Sequence, residues 1–229
     1  MQSKEMQDSE GRVEVRDLPV RLFHWSLVVL IAFSWWAADQ GGNWMLYHLW
    51  SGYAILALIV FRIAWGFLGS THARFSDFLY GPRAILDFIR SLPRRKVVDY
   101  AGYNPPGGVM ILLIILCVLV QAVTGLFAND DIVTEGPLFH WVSKETSDWL
   151  TTIHKYTFDV LLVLVGIHAA AQFFYLTYKS IDLITPMFTG KKTLGENAAR
   201  THASTANPWL ALAVLFAAAL AVYLLVRKW

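Results

Sequence analysis

The chain has 229 residues, 56% of them hydrophobic and 14% aromatic, with a formal net charge of +2 and a mean hydropathy of +0.45. That balance is too apolar for a water-soluble domain of ordinary charge content, so the chain reads as an integral membrane protein with no nucleic-acid partner. Cys117 is the only cysteine and lies inside an apolar run, which excludes an internal disulfide, a cysteine metal cluster and the Cys-x-x-Cys-His attachment of a c-type haem.

In chain order, residues 1–18 are polar and mixed in charge and read as a cytoplasmic tail. Pro19 can open a helix, and Val20 to Ala38 supplies a first span, long enough for about 30 Å of hydrocarbon, with His24 near its start. After a short Asp39-Gln-Gly-Gly-Asn turn, a second span from Trp44 to Leu68 carries His48 near its beginning and Arg62 near its end. Residues 69–108 are polar and basic, with Arg74, Arg83, Arg90, Arg94, Arg95 and Lys96, and close on a Pro-Pro-Gly-Gly break. Within them Phe78 to Leu92 has helical apolar spacing, which suits either a helix along the membrane surface or one packed on the bundle.

The third span, Val109 to Ala128, has no histidine and reads as scaffold. The loop from Asn129 to Asp148 carries Asp130, Asp131, Glu135, Glu145 and Asp148 against Lys144 alone. A fourth apolar segment follows between Trp149 and Tyr178, then a connection with Lys179, Lys191, Lys192 and Arg200, then a fifth run from Trp209 to Val226. The positive-inside rule places the N-terminus and both basic connections in the cytoplasm and the acidic loop outside, with Arg227 and Lys228 mildly opposing it. The expected organisation is a tail (1–18), an all-α membrane bundle with a four-helix core (19–192), and a linker with an added fifth transmembrane helix (193–229). The localisation expected is a bacterial inner membrane.

Histidine is costly inside a membrane, and intramembrane ionisable groups point to function. His154 and His168 are fourteen residues apart in the fourth span, which on a helix puts them about 21 Å apart and within about 40° of one face. In the orientation above, His24 matches His168 in depth and His48 matches His154. Two imidazoles at each of two depths are the arrangement that holds two haems non-covalently, and filling both axial positions of each iron points to electron transfer. His72, His140 and His202 fall in connections and are expected to be solvated. Arg62, Arg21 and Lys155 are candidate partners for haem propionates or for lipid headgroups.

The stretches RDLPVRLFHW, FRIAWGFLGSTHARFSDF, YNPPGG, QAVTGLFANDD, GIHAAAQFFY and ITPMFTGKK carry a resemblance to the bacterial cytochrome b561 proteins, grouped with the di-haem cytochrome b subunits of membrane nickel-iron hydrogenases. It runs from about Val15 to Lys192. The resemblance implies two haems b, ligands at His24, His48, His154 and His168, and exchange of electrons with ubiquinone or menaquinone. Asn104, Gly107 and Gly108 are the candidate quinone groups, because the Pro-Pro-Gly-Gly break is expected to leave backbone groups free. Tyr103 stands where many relatives have histidine, and the span after residue 208 lies outside the family's four-helix core. The function expected is transmembrane electron transfer between the quinone pool and a periplasmic redox protein such as a c-type cytochrome, with quinol as donor. The alternatives are a superoxide oxidase reducing ubiquinone and a haem-bearing anchor of a hydrogenase or reductase.

Overall fold

The structure is a computed structural model and describes residues 12–94, 100, 102–193 and 206–227. In chain order the elements are β1 (Arg12–Glu14), α1 (Leu18–Gln40), α2 (Trp44–Leu68), α3 (Phe75–Phe78), α4 (Pro82–Ser91), α5 (Pro105–Gly125), α6 (Lys144–Phe174), α7 (Thr185–Thr189), β2 (Lys191–Thr193) and α8 (Pro208–Val226). Five of these, α1, α2, α5, α6 continued by a π turn to Lys179, and α8, are long and apolar enough to cross a membrane. The fold is an all-α membrane bundle, and its two ends differ in charge. The basic end holds residues 69–94, 100, 102–104 and 180–193; the acidic end holds the α1–α2 turn and the loop between α5 and α6.

Four of the five spans, all but α2, begin where a side chain satisfies an orphan backbone donor of the helix start. Asp17 Oδ1 accepts from Val20 N at 2.9 Å, Asn104 Oδ1 from Gly107 N at 2.8 Å, Ser143 Oγ from Thr146 N at 3.2 Å, and Asn207 Oδ1 from Trp209 N at 2.9 Å. Proline stands in the first turn of α1, α5 and α8, where its missing donor costs nothing. The third and fourth helices therefore start earlier than their apolar runs do. The first turn of each is polar or prolyl and gives no hydropathy signal.

α2 is the central helix and packs on α1, α5 and α8, while α5 packs on α6. Half of the apolar window of α2 is buried, against 11% of that of α6, so α6 turns most of its side chains outward to lipid. Ile55, Ile59, Phe61 and Trp65 of α2 form one core with Phe23 and Leu27 of α1, Val118 of α5, Leu161 of α6, and Ala211 and Ala218 of α8. In lipid no hydrophobic term separates helix from helix, so close approach decides association, and small residues at the contact permit it. Gly66 shows the point: a Cβ there would lie 2.1 Å from the Phe75 ring. α8 thus belongs to the same core as the other four spans.

The basic end is tied by polar contacts. Asp17 Oδ2 accepts from Trp65 Nε1 at 3.0 Å and from the Ser70 hydroxyl, joining the start of α1 to the end of α2. Lys179 Nζ donates to the carbonyls of Leu92 and Arg94, beyond the end of α4.

Two expectations change here. Residues 12–16 are not a tail: Arg12 to Glu14 pair antiparallel with Lys191 to Thr193, Val15 N and Arg16 N donate to Gly190 O, and Val15 is buried. The apolar stretch from Phe78 to Leu92 is not one helix, because residues 79–81 break it at Gly81. α4 buries Phe88 and leaves Leu86 and Ile89 exposed, so it packs on the bundle by one face only.

Candidate functional site

Four of the sequence-selected histidines come together in pairs across the gap between the α1–α2 hairpin and α6. His24 of α1 faces His168 of α6 with ring centroids 6.5 Å apart. His48 of α2 faces His154 of α6 at 6.1 Å. All four rings are half-buried. An imidazole nitrogen sits about 2 Å from a bound transition metal, so two rings on opposite sides of one iron hold centroids about 6 Å apart. Both pairs meet that spacing.

The second coordination layer is built at the acidic-end pair. His48 Nδ1 lies 2.9 Å from Ser34 O and 3.0 Å from Ser34 Oγ, while His154 Nδ1 lies 2.8 Å from Gln121 O. A main-chain carbonyl only accepts, so each Nδ1 carries the hydrogen and each Nε2 keeps its lone pair for a metal. In this structure the His154 Nε2 is met by Gln121 Nε2 at 3.1 Å. A cavity of 370 Å³ opens between the two rings, lined also by Gly52, Gln121, Gly125, Lys155 and Asp159, within the range of about 300–1,000 Å³ typical of cofactor sites. At the basic-end pair, His24 Nδ1 is buried and lacks a hydrogen-bond partner among the described residues. The donor chemistry and spacing fit two b-type haems, each held by one pair.

Ser34, Gln121, Thr124 and Gly125 were not singled out from the sequence. α5 is more than scaffold: it supplies the carbonyl and side chain of Gln121, Thr124 Oγ1 at 3.5 Å from His154 Nδ1, and a glycine whose Cβ would come within 2.9 Å of the His154 ring. A glutamine and a threonine three residues apart inside so apolar a helix were the available signal.

The other candidates divide. Lys155 is exposed and lines the cavity of the acidic-end pair. Arg21 donates to Phe188 O, with its Nε buried and without a partner among the described residues. Arg62, 2% exposed, donates to Ala73 O at 3.2 Å and stands 5.5 Å from the Phe75 ring; its Nη2 is buried without a partner among the described residues. At the start of α5 the backbone is not free as expected. Asn104 Oδ1 and Gly107 N bond each other, Gly108 N donates to Asn104 O at 3.0 Å, and a Cβ on Gly108 would lie 2.1 Å from Phe78 O. The helix start consumes these groups, which leaves the Asn104 amide nitrogen as the one the cap does not use.

Of the histidines expected in solvent, His140 is exposed, 3.3 Å from Glu135, and His202 lies outside the described residues. His72 differs: it is 7% exposed, with Nδ1 2.9 Å from Asp77 Oδ2. The 70–78 segment folds back on α2 instead of standing off in water, since Arg62 bonds Ala73 O and Phe75 fills the space over Gly66.

The family model described as prokaryotic cytochrome b561 matches residues 15–190. A protein of Rhizobium leguminosarum bv. viciae described as a probable Ni/Fe-hydrogenase B-type cytochrome subunit is 26% identical over 213 residues, covering 79% of this chain and 88% of the relative. No solved structure matches. By the extent of the family match, and with a helical bundle and histidine pairs that suit haem, the chain belongs to the prokaryotic cytochrome b561 family of membrane electron-transfer cytochromes.

Proposed function

We propose that this cytochrome passes electrons across a bacterial inner membrane through two haems b, from quinol at the basic, cytoplasmic end to a basic c-type cytochrome at the acidic, periplasmic end. The observation that carries the proposal is the pair of histidine pairs, one above the other along α6. His24 with His168 and His48 with His154 are the axial ligands. Bis-histidine haem iron supplies one-electron transfer and leaves no open position for oxygen.

The chain's own residues do the rest. The Ser34 and Gln121 carbonyls hold the imidazoles of the outer pair in one tautomer and orientation. Arg21, Arg62 and Lys155 are the cations offered to haem carboxylates. Quinol binds at the inner pair, with the Asn104 amide nitrogen as a hydrogen-bond donor. At the periplasmic end Lys144 is held by Asp131 at 2.5 Å and by Asp148, so the loop offers no free cation of its own to superoxide. This disfavours a superoxide oxidase. The name of the Rhizobium relative supports a second reading, a b-type subunit within a hydrogenase-like complex.

The test is to reduce the purified protein with a short-chain quinol analogue, follow the haem spectrum, then add a basic c-type cytochrome. Reduction by the quinol and reoxidation by the cytochrome are expected. No reduction by any quinol would remove the proposal.

A further inference from the structure

The basic end contains a titratable pair that haem ligation does not use. His72 is 7% exposed, its Nδ1 is 2.9 Å from Asp77 Oδ2, and its Nε2 is buried with no hydrogen-bond partner among the described residues. A carboxylate only accepts, so Asp77 holds the imidazole hydrogen on Nδ1 and leaves a bare lone pair on Nε2. A buried acceptor left unmade costs about 1–3 kcal/mol.

The pair stands beside the start of α5. A Cβ on Gly102 would come 3.2 Å from His72 Nδ1 and 3.3 Å from Asp77 Oδ2, so the chain passes close over both groups just before Tyr103 and Asn104. The charges around it are set. Arg62 of α2 bonds Ala73 O, next to His72; Arg16 bonds Gly102 O at 3.3 Å and lies 3.7 Å from the Tyr103 ring centroid; Asp77 itself is 28% exposed by side chain. Two guanidinium groups bonded to the backbone beside the pair and a carboxylate that reaches water favour passage of a proton to water over its retention on the ring.

We propose that His72 and Asp77 are the proton-accepting pair for the quinol, a reading that rests on the quinol oxidation at the basic end proposed above. Quinol gives up two electrons and two protons. In each of two rounds a phenolic O–H bond would break and its proton form the N–H bond at His72 Nε2, while a haem held by His24 and His168 would supply the one-electron acceptor. The imidazolium then loses one proton to water and returns to the Nδ1–H tautomer that Asp77 favours, which restores the Nε2 lone pair before the next round. The periplasmic acceptor takes the electrons in turn, so quinol is oxidised to quinone and nothing is left over.

The experiment uses the full-length protein with both haems, a short-chain ubiquinol as probe, and stopped-flow haem reduction from about pH 5 to 8, for wild type, His72→Gln and Asp77→Asn. The wild-type rate is expected to depend on pH. His72→Gln is expected to be about 10²-fold slower at the alkaline end, with a flat profile, and Asp77→Asn to fall between. Haem content, haem potentials and reduction by dithionite should stay as in wild type. A wild-type rate and pH profile in His72→Gln would overturn the proposal. So would loss of haem or a shifted inner potential in both variants, because His72 would then serve the haem or the packing. A wild type that quinol does not reduce would sink the quinol reading itself, and the proton pair with it.

Discussion

His48 and His154 each rest Nδ1 on a main-chain carbonyl, an anchor that side-chain substitution cannot remove. What substitution can do is crowd the ring. A Cβ at Gly125 would lie 2.9 Å from the His154 ring, whose Nδ1 is already held by Gln121 O. Gly125→Ala is therefore expected to weaken haem binding at the His48–His154 pair and spare the other, read as haem per protein by pyridine haemochrome assay. Equal loss of both haems would mean a general folding defect. Asp130 offers a different residue-scale test. Burial works to raise its pKa, but the hydrogen bonds it accepts from Ile132, Thr134 and Val133 outweigh burial and hold the carboxyl well below the usual carboxylate range. A depressed folded pKa means that its stabilising effect is present above about pH 4 and is lost as pH falls through the lower, folded value. Amide exchange at 132–134 is expected to be faster in Asp130→Ala than in wild type at pH 7, and unchanged exchange would count against the loop geometry. The four membrane histidines were legible because helical periodicity and depth act on every residue of a span. His72 was not, since its burial depends on a non-periodic segment that folds back onto α2.

At the scale of elements, span positions could be read from hydropathy but span starts could not. Asn104 and Ser143 set two of them through caps, with Pro105 and Pro106 or polar residues in the first turn, where no apolar pattern exists. The strand formed by 12–14 had no sequence signal at all, because its partner lies at 191–193. Asp17 binds two helices together, accepting from Val20 N at the start of α1 and from Trp65 and Ser70 at the end of α2. Asp17→Ala removes a cap and leaves a buried indole donor unpaired, so a loss of about 2 kcal/mol is expected, seen as a lower Tm with both haems still bound. A Tm equal to wild type would contradict the tie. Gly108→Ala forces a methyl against the Phe78 carbonyl and should cost stability also, which makes Asn104→Leu the cleaner probe of the quinone site. With haems intact, slower reduction by quinol is expected from it; an undiminished rate would move the quinone elsewhere.

Over the whole molecule, charge is sorted by end. The acidic-end loop 130–148 holds five carboxylates and one lysine, and that lysine is already bound by Asp131 and Asp148. Exposed Ile132 and Val133, 85% and 87% accessible, stand at the tip of the same loop, so an apolar contact point sits inside a negative rim. Such a surface steers a basic partner by raising its association rate more than its affinity. Oxidation of the reduced protein by a basic cytochrome should slow as salt rises past about 0.1 M, where the screening length is about 10 Å, and should slow again when Asp130, Asp131 and Glu135 become amides. A rate indifferent to both changes would return an acidic partner or superoxide to consideration. All of this depends on two haems hung separately from α6 by the pairs His24 with His168 and His48 with His154. The most direct measurement is the haem content and low-spin spectrum of His24→Ala and His48→Ala: each is expected to keep one haem, the one held by the other pair, whereas two low-spin haems retained in both variants would contradict the account.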